Sequence, residues 1–298
     1  MMTELGKKHK SCFEQRRSKP QYIPATSYYL DAYIDNLGRS PILREARALL
    51  ALWSHCRIDV YADELLPGQL RFYEPVAFHY GCGTYIDYGC IDVIKKERGM
   101  DEAESRRLDE SIRAVHERRH VAFNDGWYET LGLKVFTPEM EQSMRVHAAS
   151  TTFFGGHMVP DFETLLQQGL DGYRDEIRRA REASDGTKRD FYEAMDTILD
   201  AFAIVLTRTA DAVNALQASG TEEQKRLSTL AENLRHIAAC PPSNFHQALL
   251  LVYFAHMLAG ADTFGRFDKY LYPFYEKDLR AGLLTSDFAL SLLECLCV

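Results

Sequence analysis

The chain has 298 residues, of which 46% are hydrophobic and 26% are charged, as in a globular protein that can bury a sizeable core. This composition excludes disordered and fibrous proteins. The 43 acidic and 35 basic residues give a net charge of −8. This balance argues against a nucleic-acid-binding protein, because such binding depends on neutralising phosphates.

Membrane and secretion signals are missing from the sequence. The longest apolar run, Ala248–Ala261, is shorter than the about 18 residues that cross a bilayer, and it contains His256. No apolar signal core follows the basic N-terminus. The seven cysteines have scattered spacings that indicate no disulfide framework. We therefore predict a cytoplasmic protein whose cysteines are mostly buried free thiols.

Helical patterns dominate the chain. Apolar residues recur at helical spacing in three runs, which begin at Pro41, at Pro160 and at Lys188. Proline is typical of the first helical position, and Thr137-Pro138-Glu139 has the same signature. A capping box at Thr221–Gln224 predicts the start of another helix.

The last helix is expected to begin after Thr285. Its apolar stripe reaches the final residue without a glycine or a basic last turn, although the last carbonyls of a helix need partners. We therefore expect the stripe to lack its intended partners and to form an exposed patch. The stripe consists of Phe288, Leu292, Leu293, Leu296 and Val298.

Strand signals are few. Short candidate strands are Ile58–Tyr61, Gln69–Tyr73 and Thr151–Phe154. The pattern predicts a mainly α protein with a few short strands. We expect one domain over residues 1–298, without a second domain, in which residues 1–20 form a flexible polar arm.

A zinc-peptidase spacing occurs at His116-Glu117-Arg118-Arg119-His120. Histidines four residues apart share one helix face and can hold one zinc ion, while the intervening glutamate polarises a bound water. The two arginines place cations beside the proposed metal, and the segment has the charge pattern of a solvated helix face. We predict that His116 and His120 bind no metal. Stoichiometric zinc that is lost in His120→Ala would contradict this.

A second candidate site lies at Gly155-Gly156-His157, between a short strand and the helix that Pro160 begins. Paired glycines allow close approach of the backbone to another group. A histidine beside a helix N-terminus can donate to an anion or a hydroxyl group. The alternative is that His157 caps or bridges neighbouring loops.

The aromatic and charged segment Gly265–Tyr275 is the third notable stretch. Arg266 and Asp268 are close enough in sequence to share a buried polar network, around which the tyrosines pack. The alternative is structural packing with a satisfied ion pair, and we favour this interpretation.

Four segments of the chain occur together in this order: Arg44-Glu45-Ala46 through Asp63–Gly68, Gly156-His157 through Pro160–Phe162 and Gly169-Leu170, Pro241-Pro242 with Phe245–Leu249, and Gly265–Pro273. In these segments the chain resembles the N-terminal part of glycyl radical enzymes, the pyruvate formate-lyase-like family. The resemblance implies a ten-stranded α/β barrel wrapped by helices, usually in a homodimer. It also implies radical cleavage of a C–C, C–O, C–N or C–S bond in a small molecule.

In this family a glycyl radical passes the radical to a cysteine, and the resulting thiyl radical abstracts a hydrogen atom from the substrate. A separate activating enzyme with S-adenosylmethionine and an iron–sulfur cluster installs the radical. Family members are more than twice as long as this chain, and no Arg-Val-x-Gly-Tyr-like or Gly-Cys-Val-Glu-like motif occurs here. We therefore assign no catalytic cysteine, no radical glycine, no metal ligand and no bound cofactor within these residues.

One family position transfers to this sequence. The turn that carries a substrate-binding arginine in pyruvate formate-lyase corresponds to His157, and dehydratase-like members also have a histidine there. Some diol dehydratases place His-Ser before the Gly-Arg-Phe-Asp segment, whereas this chain has Gly260-Ala261, which does not favour a diol substrate.

We therefore predict an N-terminal segment of a glycyl radical lyase or dehydratase, with His157 as a substrate contact. The alternatives are a zinc metallohydrolase that uses His116, Glu117 and His120, and a non-catalytic helical interaction module. The sequence names neither the substrate nor the bond that is cleaved.

Overall fold

The computed structural model describes residues 2–17, 25–56, 58–70, 95–96, 99–106, 109–110, 159–259 and 263–297. Long helices make up most of this part of the chain, as the sequence predicts. The helices are α1 (Glu4–Arg17), α2 (Ala25–Asp35), α3 (Pro41–His55), α4 (Phe162–Glu182), α5 (Gly186–Asn214), α6 (Thr221–Ile237), α7 (Phe245–Ala259), α8 (Phe267–Arg280) and α9 (Ser286–Leu296).

One small antiparallel sheet lies in the described residues. Strand β1 (Ile58–Asp59) pairs with β2 (Gln69–Leu70), with Ile58 opposite Leu70. The first strand is thus shorter than the predicted Ile58–Tyr61. The predicted strand Thr151–Phe154 lies outside the described residues.

Helix α7 forms the centre of the core. It is apolar on nearly all sides, which is the pattern of a helix with neighbours all round, and Leu249, Leu250 and Phe254 are fully buried. No helix in the described ranges is long and apolar enough to cross a bilayer.

The loop between β1 and β2 is fastened to this core by side chains that bind its carbonyl oxygens. His246 of α7 donates to the carbonyl of Leu65 over 2.9 Å. Arg226 of α6 donates to the carbonyls of Glu64, at 2.9 Å, and of Ala62. These bonds satisfy backbone groups that helices and strands leave unpaired, so the loop has a defined path.

Helix α4 is interrupted at Gly169, which has φ 65° and ψ −174°. A Cβ atom there would lie 2.4 Å from the backbone nitrogen of Pro241. The next residue but one, Asp171, donates its N–H to the carbonyl of Ala239 over 2.9 Å. The backbone of the turn before α7 therefore packs directly against α4 where the helix is interrupted. Only glycine fits at position 169, because a side chain would collide with this turn.

The N-terminal segment is not the flexible polar arm expected from sequence. Residues 4–17 form α1, and the Thr3 N–H donates to both carboxylate oxygens of Glu294 over 3.0 and 3.1 Å. The Ser291 hydroxyl donates to the Thr3 hydroxyl. Thr3 therefore attaches the start of the chain to α9, a contact 291 residues apart in sequence that no local pattern reveals.

The expectation that the last apolar stripe lacks partners is also wrong. Leu292 is fully buried, and Phe288, Leu293 and Leu296 pack against the main core, while Val298 lies outside the described residues. The physical reason is that α9 packs on the core and on α1.

Two predicted helix caps have different outcomes. The Thr285 hydroxyl accepts from the N–H of Phe288 over 3.2 Å, so the predicted cap of α9 is confirmed. Thr221 is instead the first residue of α6, after Gly220. The Glu223 carboxylate accepts from the N–H and hydroxyl of Ser219, so the start of α6 is fastened two residues earlier than the predicted capping box.

Candidate substrate-binding region

The residues of both sequence-predicted sites lie outside the described part of the chain. These are His157 and the possible zinc ligands His116, Glu117 and His120. Within the described ranges, no three histidine, cysteine, aspartate or glutamate side chains are grouped as metal ligands. The hypotheses about these two sites therefore stay predictions, but the turn that follows His157 is described from Val159 onward.

Asp161 fixes the start of α4. Its carboxylate accepts from the N–H and the hydroxyl of Thr164 over 3.0 and 2.7 Å, the arrangement of a helix N-cap. These two hydrogen bonds lower the pKa of the Asp161 carboxyl. The Phe162 N–H bonds to the carbonyl of Pro160 over 2.8 Å, so the turn is held at its inner end.

An aromatic cluster anchors this turn to the segment before α8. The buried ring of Phe162 lies 5.5 Å from the ring of Tyr270 and 6.5 Å from that of Phe264, measured between centroids. The Tyr270 hydroxyl donates to the carbonyl of Phe264 over 2.7 Å. Two family-like segments that are about a hundred residues apart in sequence thus meet at one place.

The two segments also pack together at Gly265 and Val159. Gly265 has φ 62°, and a Cβ atom there would lie 3.1 Å from Cγ1 of Val159. The Gly265 N–H is bonded to the hydroxyl of Thr263 over 3.1 Å. Glycine therefore allows both the left-handed turn and the close packing.

Arg266 and Asp268 form the predicted pair, but they are not buried. The guanidinium donates through Nε and Nη2 to the two carboxylate oxygens over 2.9 and 2.8 Å. The side chains are 72% and 60% exposed. The pairing lowers the pKa of Asp268 and raises that of Arg266. The favoured interpretation of a satisfied ion pair is confirmed. The alternative of a buried polar network is wrong, because both residues lie at the exposed start of α8.

Two of the cysteines in the described ranges, Cys56 and Cys295, are buried, and neither has the lowered pKa of an activated nucleophile. Burial raises the pKa of Cys56, although the neighbouring Arg208 opposes this, and burial raises the pKa of Cys295 to about 12. Reactive thiolates have lowered rather than raised pKa values. Both residues therefore serve as small apolar side chains of the core.

His246 lies in a family-like segment, but its geometry is that of a scaffold residue. Burial lowers its pKa to about 4, so the ring is neutral at pH 7 and its Nε2–H is held by the carbonyl of Leu65. The adjacent Gln247 accepts from the Ser243 N–H at 2.8 Å and donates to Asn233 at 2.9 Å. Sequence reasoning did not assign these roles. The available signal was a pair of polar residues, His246 and Gln247, in the first turn of an otherwise apolar helix.

Residues 3–298, nearly the whole chain, match the family model described as pyruvate formate lyase-like. The chain belongs to this family. Its relatives include glycyl radical lyases and dehydratases. One is the isethionate sulfite-lyase of Bilophila wadsworthia, 27% identical over 300 residues, which cover 91% of this chain and 36% of the relative.

The probable dehydratase YbiW of Escherichia coli K12 is 26% identical over 304 residues, with 93% of this chain and 36% of the relative covered. Among solved structures, a glycyl radical enzyme from Archaeoglobus fulgidus superimposes with a TM-score of 0.76 at 21% identity, over 98% of this chain and 39% of that structure. The chain therefore has the fold of the N-terminal portion and spans about a third of the length of its relatives.

Proposed function

We propose that this chain is the substrate-binding N-terminal portion of a glycyl radical lyase or dehydratase that cleaves a bond in a small polar molecule. The observation that carries this proposal is the contact between the turn at Val159 and the turn at Gly265. Both turns belong to family-like segments, and the nearby relatives include a sulfite-lyase and a probable dehydratase.

His157 is the proposed substrate contact. In the sequence His157 stands two residues before Val159, whose turn makes this contact. An imidazole binds one oxygen and can exchange a proton, which suits a hydroxyl or sulfonate group next to the bond that breaks. An arginine at the same position would favour two-point binding of a carboxylate.

In this proposal the remaining parts of the reaction come from outside these 298 residues. The ten-stranded barrel, the homodimer, the thiyl cysteine and the glycyl radical belong to the complete fold, and the activating enzyme is a separate partner. The chain itself binds and orients substrate in one domain. The extent of the match to relatives, 36% of their length, supports this division of roles.

The test is His157→Ala in the complete radical-bearing enzyme that contains this chain. We expect turnover to fall by at least tenfold while the yield of glycyl radical stays unchanged, because radical formation occurs elsewhere. His55→Ala is the matched control, since His55 is an exposed histidine at the end of α3. Unchanged kinetics of His157→Ala with every substrate that the wild type converts would contradict the role.

A further inference from the structure

A stacked pair of rings connects the Gly265 turn to the core. Phe264 packs against the core, and its ring lies on the ring of His256, with centroids 3.8 Å apart and 23° between the planes. His256 is half-buried in the last turn of α7, the central helix. Stacked ring pairs attract each other by more than the apolar area that they bury. The stack therefore links α7 to the residue just before Gly265.

The other contacts of Phe264 belong to the segments that form the proposed site. Its ring lies 6.5 Å from that of Phe162 at the start of α4 and 6.4 Å from that of Phe267 at the start of α8. Its carbonyl accepts from the hydroxyl of Tyr270, also in α8. His256, by contrast, lies on a helix whose side chains are buried on nearly all sides. The stack therefore fixes Phe264 relative to the core, and not only relative to the neighbouring turn.

Phe264 immediately precedes the contact between the two turns. A Cβ atom at Gly265 would lie 3.1 Å from Cγ1 of Val159, so a small displacement of the turn changes this packing. Val159 follows His157 by two residues in the sequence. Misplacing a group that binds substrate by about 1 Å can lower the rate about a hundredfold. The position of this turn is therefore important for the reaction.

We propose that His256 is a positioning residue of the substrate site. Its ring holds Phe264, and thereby the packing of Gly265 on Val159. This packing orients the segment that carries His157. His256 acts through Phe264 and does not touch the substrate. The inference rests on the proposed function, because it assigns a further residue to the same site.

The first experiment measures the position of the turn in this chain. NMR of ¹³C-labelled valine methyl groups reports the surroundings of Val159. We expect His256→Leu, which removes the ring, to shift the Val159 resonances, and His256→Phe, which keeps a flat ring, to give those of the wild type. His55→Leu is the matched control, since it removes a histidine ring that stacks on Tyr28 with centroids 4.3 Å apart, and it should leave these resonances unchanged.

Melting curves by circular dichroism show which variants are folded. His256→Met, a second variant without a ring, replaces His256→Leu if the leucine variant is unfolded. Unchanged Val159 resonances in the folded variant without the ring would overturn the proposal.

The second experiment is a double-mutant cycle in the complete radical-bearing enzyme. His256→Leu should lower kcat/KM by about two- to tenfold with unchanged radical yield, because the energy of a stacked ring pair limits what it contributes. In the His157→Ala background it should cause no further loss, since the two residues act together. A merely structural role would give equal losses in both backgrounds, and this result would overturn the proposal. So would a loss that is equally large in His256→Phe.

Failure of the proposed function would give a different result. Full activity of His157→Ala would contradict the substrate contact itself. The NMR experiment then decides the inference separately: a Val159 shift in His256→Leu that is absent in His256→Phe supports the positioning of the turn, and its absence in both variants overturns it.

Discussion

The two family-like segments Phe245–Leu249 and Gly265–Tyr270 have the same kind of sequence signal but opposite environments. In the first, Phe245 and Leu249 are buried, and His246 holds the loop after β1. In the second, Arg266 and Asp268 pair at the surface, beside the turn that follows His157. A segment that resembles the family can therefore form either part of the buried scaffold or an accessible turn.

The difference follows from where each polar side chain finds its partner. The half-buried His246 bonds to the carbonyl of the buried Leu65, and the buried Gln247 bonds to the buried Asn233. Removing one partner therefore leaves a buried group unsatisfied. Arg266 and Asp268 are exposed, so water replaces either partner at little cost. Variants in the scaffold should change stability, and variants in the exposed turn should change it very little.

The largest effect is expected from Gly169→Ala, where the turn before α7 enters α4. A Cβ atom at 2.4 Å from the Pro241 nitrogen, in addition to a positive φ, should lower the free energy of unfolding by about 3 kcal/mol or more. Urea unfolding measures this. Gly186→Ala is the control, because Gly186 has φ 49° with open space around it. It should cost about 1 kcal/mol. Equal losses of unfolding free energy in the two variants would contradict a destabilising effect of the close contact with Pro241.

The second effect is a pH dependence of stability caused by His246. Its pKa falls from 6.5 to about 4 in the folded protein, so the unfolded chain binds more protons between these values. The contribution of the neutral His246 to the free energy of unfolding is therefore fully present above pH 6.5. It decreases as the pH falls toward 4, by about 3 kcal/mol in total.

Urea unfolding at pH 7 and at pH 4.5 measures this loss. His246→Gln should reduce the difference between the two pH values, whereas the exposed-site control His55→Gln should leave it unchanged. The same pH dependence in His246→Gln as in the wild type would contradict the scaffold role.

The smallest effect is expected at the exposed pair. Arg266→Ala should change the free energy of unfolding by less than about 1 kcal/mol, because both partners remain solvated. The comparison between the segments would fail if this variant were as unstable as Gly169→Ala in the same urea titration.

Sequence reasoning succeeded where the physics is local. The start of α3 at Pro41 and the cap of α9 at Thr285 follow from proline geometry and a threonine cap, and both are confirmed. It failed where a residue meets a distant segment. Thr3 binds Glu294, and Gly169 meets Pro241; neither spacing contains a signal.

The candidate region could be predicted in part. The resemblance identified the turn after His157 and the Gly265 segment, and the structure brings these together. It could not reveal that Arg266 and Asp268 are exposed, because burial depends on which elements cover a turn.

The division between substrate binding and radical chemistry is tested most directly by electron paramagnetic resonance. The purified chain is incubated without oxygen with a cognate activating enzyme, S-adenosylmethionine and a reductant. We predict no glycyl doublet, because neither the radical-glycine motif nor the thiyl-cysteine motif of the family occurs among these 298 residues. The complete enzyme, treated in the same way, should give the doublet and serves as the control. A glycyl doublet from this chain alone would contradict the account.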